Sequence, residues 1–146
     1  MGPLAIIALA ATSFVTGPIP DSEAADFQRL MFATSLPAFV TSANAASPPS
    51  FDWSTDHCSA PLVGNTGRSF DFTHSCRRHD FAYRNLKRFD RREPGAWWNS
   101  QWRVAVDQQF RRDLRSQCEG RPLSQRITCR WWAEIFYRAV RTFGGP

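Results

Sequence analysis

Residues 75–85 read SCRRHDFAYRN (Ser75–Asn85). His79, one of three histidines in the chain, stands directly before Asp80, after two arginines and three residues past Cys76. A helical period begins at Thr73 and is expected to run to about Phe89. At about 100° per residue, Cys76, His79, Tyr83 and Leu86 share one face, with Asp80 at its edge. His79 therefore points where a cysteine and apolar side chains point. Such a polar pair is either solvated surface or a working site, and the flanking sequence has to distinguish the two.

Downstream, Pro94 and Gly95 break the chain, and NSQWRVAVDQQFRRDLRSQC opens a second long helix. Val104, Val106, Phe110, Leu114 and Cys118 form its apolar stripe. On that wheel Asp107 lies about 20° from the core direction and Asp113 about 100° away. Burying an unpaired carboxylate costs several kcal/mol, so Asp107 requires a donor from another element. A third helix is expected from about Ser124 to Thr142, with Cys129, Trp132, Ala133, Phe136, Val140 and Phe143 at helical spacing and Gly144 and Gly145 as the stop.

Upstream, a short helix starts behind Asp21 or Ser22 as N-cap, carrying Phe27, Leu30, Met31 and Thr34. Another starts at Ser35, with Pro37 in its first turn. From Asp52 to Phe72 no period is sustained, which reads as a long irregular loop of the functional kind. No alternating strand pattern is present, so the expected fold class is all-α: a small disulfide-linked helical domain with two long antiparallel helices and an irregular loop.

Residues 3 to 15, PLAIIALAATSFV, form an apolar run too short to span a bilayer, at the extreme N-terminus. Residues 1–20 therefore read as a signal peptide and 21–146 as the domain, although the first Lys or Arg is only Arg29. A buried first helix is the alternative. Four cysteines in a chain of 146 residues that enters an oxidising compartment argue for two disulfides, and spacing suggests Cys58–Cys76 and Cys118–Cys129. A zinc site of Cys58, His74, Cys76 and His79 competes, but no Cys-x-x-Cys pair supports it. Residues 57–146 hold seventeen basic residues against eight acidic ones, a surface suited to anionic partners such as phospholipid headgroups or nucleic acid. No nucleic-acid module is recognisable, so none is expected as a partner.

His79 and Asp107 occupy the buried faces of two helices. Packed antiparallel, they become each other's partner: a carboxylate fixes the imidazole tautomer and leaves the second ring nitrogen to take a proton from water. A satisfied core pair without chemistry remains open. A Cys58–Cys76 bridge would bring Asp56 beside Asp80, and two carboxylates with loop carbonyls are hard oxygen ligands suited to Ca²⁺. A cation there would polarise an ester carbonyl, which implies metal-assisted ester hydrolysis without a covalent intermediate.

DWSTDHCS, then CRRHDFAYRN, then VDQQF and DLRSQC downstream resemble the secreted phospholipase A2 family in its bacterial and fungal branch, and RLMFATSLPAF is similar to the N-terminal helices of the fungal members. The resemblance spans residues 26 to 144. It implies that His79 activates the attacking water, that Asp107 orients His79, and that Tyr83 hydrogen-bonds Asp107. It further implies Ca²⁺ held by the side chains of Asp56 and Asp80 and the backbone carbonyl of His57, with the two disulfides as paired above. The implied substrate is the sn-2 ester of glycerophospholipids at a membrane surface or micelle, and the implied protein is secreted and monomeric. Trp97 and Trp98 are candidates to enter the lipid interface, with a place in the core as the alternative for either. The loop SAPLVGNTGRSF departs from the family's Pro-Asp-Asn-Pro turn, His57 replaces a small or aliphatic residue, and Ala82 stands where glycine is common. A non-catalytic secreted protein that binds lipid or membrane on the same scaffold is the alternative function.

Overall fold

The computed structural model describes residues 17–58 and 70–145. Residues 1–16, most of the expected leader, and residues 59–69, most of the expected loop, lie outside the described residues. Five α-helices follow in order: α1 (Asp21–Gln28), α2 (Leu36–Asn44), α3 (Thr73–Asp90), α4 (Ser100–Glu119) and α5 (Leu123–Phe143). A π-helical turn, Arg29–Ala33, continues α1 and buries Leu30 and Met31. Among the described residues there is no strand, and no helix is long and apolar enough to cross a membrane.

The caps explain most of the boundaries. Asn99 accepts from the backbone N–H groups of Gln101 and Trp102 at the start of α4, and Ser35 accepts from Ala38 N–H at the start of α2. At α1 the expected caps are displaced. Pro20 is the N-cap residue, and Asp21 and Glu23 fall in the first turn, where their charge favours the positive end of the helix dipole.

Three long helices run antiparallel in sequence. Ser75 bonds Gln117, Arg78 pairs with Asp113 and His79 meets Asp107, so partners on α4 descend as α3 ascends. The Cys118–Cys129 bridge, the Arg111–Glu134 pair and the Arg141–Asp107 bond trace the same relation between α4 and α5. Behind α3, the N-terminal helices supply an aromatic core. Phe27, Phe39, Phe51, Phe81 and Phe89 are buried in contact, with ring centroids 5.3 to 6.3 Å apart. Each buried ring contributes roughly 2–3 kcal/mol of apolar transfer.

Several side chains depart from their expected places. Asp113 is buried rather than flanking, because α4 is covered by α3 as well as by α5. Val104, near the start of α4, is 38 % exposed, and Phe143, at the end of α5, is 63 % exposed. Trp97 and Trp98 are half-buried. Trp97 stacks on Trp102 with its indole N–H on Glu93, and Trp98 stands edge-on to Tyr83.

Candidate active site

The segment entering the irregular loop is strapped along α3. Asn85, fully buried, accepts from Asp52 N–H at 2.9 Å and donates to Asp52 C=O at 2.9 Å, pairing its amide with the backbone as a strand would. Further along, Thr55 Oγ1 donates to Asp80 Oδ2 at 2.6 Å and Asp56 N–H to the same oxygen at 3.2 Å. The Cys58–Cys76 disulfide closes the strap. Three fastenings in antiparallel order thus set Asp56 and His57 against Asp80. Because Cys58 and Cys76 are oxidised to each other, their thiolates are not available, and the zinc alternative falls.

Asp56 and Asp80 form a crowded acid pair. Burial, first, and the neighbouring Asp56 push the Asp80 carboxyl up to about 6, against the bond from Thr55 that favours its charge. Asp56 is exposed, with Arg84 Nη2 at 3.6 Å from its Oδ1. Between them in sequence, His57 adopts φ 58°, a left-handed conformation that costs a non-glycine residue about 1–2 kcal/mol. Among the described residues no cluster of three His, Cys, Asp or Glu side chains gathers at one point, so a cation held here would draw its remaining ligands from backbone oxygens or water. Two close carboxyls are hard oxygen donors of the kind that fit a divalent cation.

The second half of the site lies between α3, α4 and α5. His79 Nε2 is 2.8 Å from Asp107 Oδ1. With Nε2–H donating to the carboxylate, the Nδ1 lone pair is left for the cavity that His79 lines. Tyr83 donates to Asp107 Oδ1 at 2.7 Å, and Arg141 Nη1 to Asp107 Oδ2 at 2.7 Å, with Arg103 Nε 3.8 Å from that oxygen. Burial pushes the Asp107 carboxyl up, but the bonds from His79, Arg141 and Tyr83 outweigh it and hold the group below its ordinary value. Burial and the Asp107 bond push the Tyr83 phenol well up, so it stays a donor. Gly144 allows this closure, since a Cβ there would lie 2.5 Å from Val140 C=O and 2.8 Å from the Tyr83 hydroxyl.

Arg103 precedes Asp107 by four residues, a spacing legible in sequence, whereas Arg141 arrives from α5 with no local signal. Likewise unforeseen is Arg78 beside His79. It is 1 % exposed, bonds the carbonyls of Met31 and Thr34 at 3.1 and 3.0 Å, and lies 3.4 Å from Asp113 Oδ2. A cavity of about 590 Å³ connects the two halves, touching Asp56, His79 and Asp80 on one side and Phe136, Val140 and Phe143 on the other.

A family model described as prokaryotic phospholipase A2 matches residues 27–144. A protein of Arthroderma benhamiae named secretory phospholipase A2 is 38 % identical over 127 residues, covering 85 % of this chain and 80 % of that protein. One of Beauveria bassiana with the same name is 35 % identical over 140 residues, covering 95 % and 67 % respectively. Matched by the family model over residues 27–144 and by these relatives over most of its length, the chain belongs to the prokaryotic phospholipase A2 family.

Proposed function

We propose that the protein is a secreted, calcium-dependent phospholipase A2 that hydrolyses the sn-2 ester of glycerophospholipids. The observation that carries the reading is the 2.8 Å contact of His79 Nε2 with Asp107 at the wall of a cavity that also reaches Asp56 and Asp80. In it, His79 Nδ1 takes a proton from water as the water oxygen attacks the ester carbonyl carbon. Asp107 holds the imidazole in the required tautomer and balances the imidazolium that forms. The imidazolium then returns the proton to the departing glycerol oxygen, giving a free fatty acid and a lysophospholipid. Tyr83 and Arg141 hold Asp107 still. Asp56, Asp80 and the His57 carbonyl would hold calcium, which supplies Lewis-acid polarisation of the ester carbonyl when bound. Apolar side chains of α5 exclude water from the acyl chain. Secretion is supported by the disulfides and by the relatives' printed names. The test is release of fatty acid from a phospholipid labelled separately at sn-1 and sn-2. Label is expected from sn-2 only, stopped by a chelator and by His79→Ala. Label from sn-1, or release that persists in His79→Ala, overturns the reading.

A further inference from the structure

Helix α5 is apolar on two opposite faces. Toward the body of the fold it buries Cys129, Ala133 and Phe136, and Phe136 also lines the cavity. On the other side stand Leu123, Ile127 and Trp131, which are 78, 81 and 60 % exposed. At about 100° per residue Ile127 lies about 180° round the helix from Phe136, with Leu123 and Trp131 about 40° to either side of it. Spaced four residues apart, the three form one stripe along the N-terminal half of α5, roughly a few hundred Å² of apolar surface of the kind that marks an interaction site. Side chains so exposed add little to the core, so folding does not account for them.

Charge around the stripe selects its occupant. Residues 123–133 hold Arg126 and Arg130 and no acid. Arg130 is exposed, three residues from Ile127 and seven from Leu123, at the edge of the same face. Beyond them, Glu134 is already bonded by Arg111, with Arg138 Nε at 3.6 Å. A second copy packed antiparallel on the stripe would set Arg126 and Arg130 against the same arginines of its partner. An anionic bilayer fits instead, with acyl carbons under the stripe and phosphates beside the guanidinium groups. Since α5 is not apolar enough to cross a membrane, it would lie in the plane of the interface.

We propose that the outer face of α5 is a lipid anchor separate from the catalytic cavity, holding one anionic bilayer while the cavity takes its substrate from another. The width of α5, about 10 Å, stands between the two, so a bilayer on the stripe does not present its lipids to His79. The catalytic half of this inference rests on the phospholipase reading above. Its consequence is that the protein joins vesicles.

The experiment uses vesicles of diether phosphatidylglycerol and diether phosphatidylcholine in equal parts, which cannot be hydrolysed. Clustering by the natural protein in calcium-containing buffer is read by light scattering against buffer alone. It is expected to occur, and to fall about ten-fold or more in Leu123→Ser/Ile127→Ser/Trp131→Ser, which keeps every charge and should remain folded by circular dichroism. Ile127→Leu should cluster vesicles like the natural protein. On a short-chain diester phospholipid dispersed below its aggregation concentration, the triple variant should keep kcat/KM within about two-fold, because none of its three positions lines the cavity. Absence of clustering, clustering that the triple variant retains, or loss of turnover on the dispersed diester in that variant overturns the proposal. So does a natural protein that sediments as a dimer when the triple variant sediments as a monomer, which would give the stripe to a second copy. If clustering follows the expected pattern and the natural protein cleaves no diester, hydrolysis fails and the anchor stands. If the diester is cleaved and clustering is absent or indifferent to the triple substitution, the anchor fails and hydrolysis stands.

Discussion

Two aspartate clusters face the same cavity and are supplied in opposite ways. Asp107 is fully buried, yet His79, Tyr83 and Arg141 all bond it and Arg103 stands near, so its charge is met from within the fold. In the Asp56–Asp80 pair, Asp80 accepts from a threonine hydroxyl and a backbone N–H, Asp56 has Arg84 at 3.6 Å, and the inner carboxyl is pushed up to about 6 by burial and by its neighbour. The difference supports the proposed roles. A buried carboxylate bonded by its own chain suits the proposed orienting role, whereas a pair of adjoining carboxyls, one of them exposed, suits the proposed cation site.

The sharpest way to break the comparison is at His79 itself. His79→Ala should lower kcat by about a thousand-fold, the usual range for loss of a general base, while leaving the protein folded by circular dichroism. Retained turnover would remove the dyad from the mechanism. Next in size is Asp107→Ala, which leaves Arg141 and Arg103 facing a buried hole without their carboxylate. It should cost about 3–5 kcal/mol in urea unfolding, whereas Asp56→Ala, at an exposed position, should stay within about 0.5 kcal/mol. Similar losses at both positions would erase the contrast.

Smaller is Gly144→Ala, whose added methyl would crowd both the Tyr83 hydroxyl and the Val140 carbonyl. A loss of about 1–3 kcal/mol is expected from overpacking, together with a lower kcat. Smallest is the acid limb of stability. Because Asp107 is held below its ordinary value in the folded state, its contribution is present above the unfolded value of 3.8 and is lost as pH falls through the folded one. Urea midpoints should therefore fall more steeply below about pH 4 in the natural protein than in Asp107→Asn. Parallel slopes would mean that Asp107 is not held by its donors.

What was legible in the sequence divides along the same line. Period alone put His79 and Asp107 on buried faces, and spacing alone paired the four cysteines, because both depend on residues close in sequence. Asp113 was misjudged because Val104 was counted in the stripe, which tilted the wheel, and because the cover that buries Asp113 comes from α3 rather than from its own helix. Arg141 on Asp107, Asn85 on Asp52 and Arg78 on the Met31 and Thr34 carbonyls each join residues more than thirty positions apart. No local pattern encodes such contacts, since the partner is chosen by how helices pack. Trp97 and Trp98 depend on packing in the same way: they are half-buried because Phe89, Trp102 and Tyr83 stand beside them.

The claim that the acid pair awaits a divalent cation is tested most directly by calorimetric titration of the natural protein and of Asp80→Asn with Ca²⁺. One ion should bind per chain in the former and none in the latter, with both proteins folded. Binding that is unchanged by Asp80→Asn, or absent from the natural protein, would contradict the account.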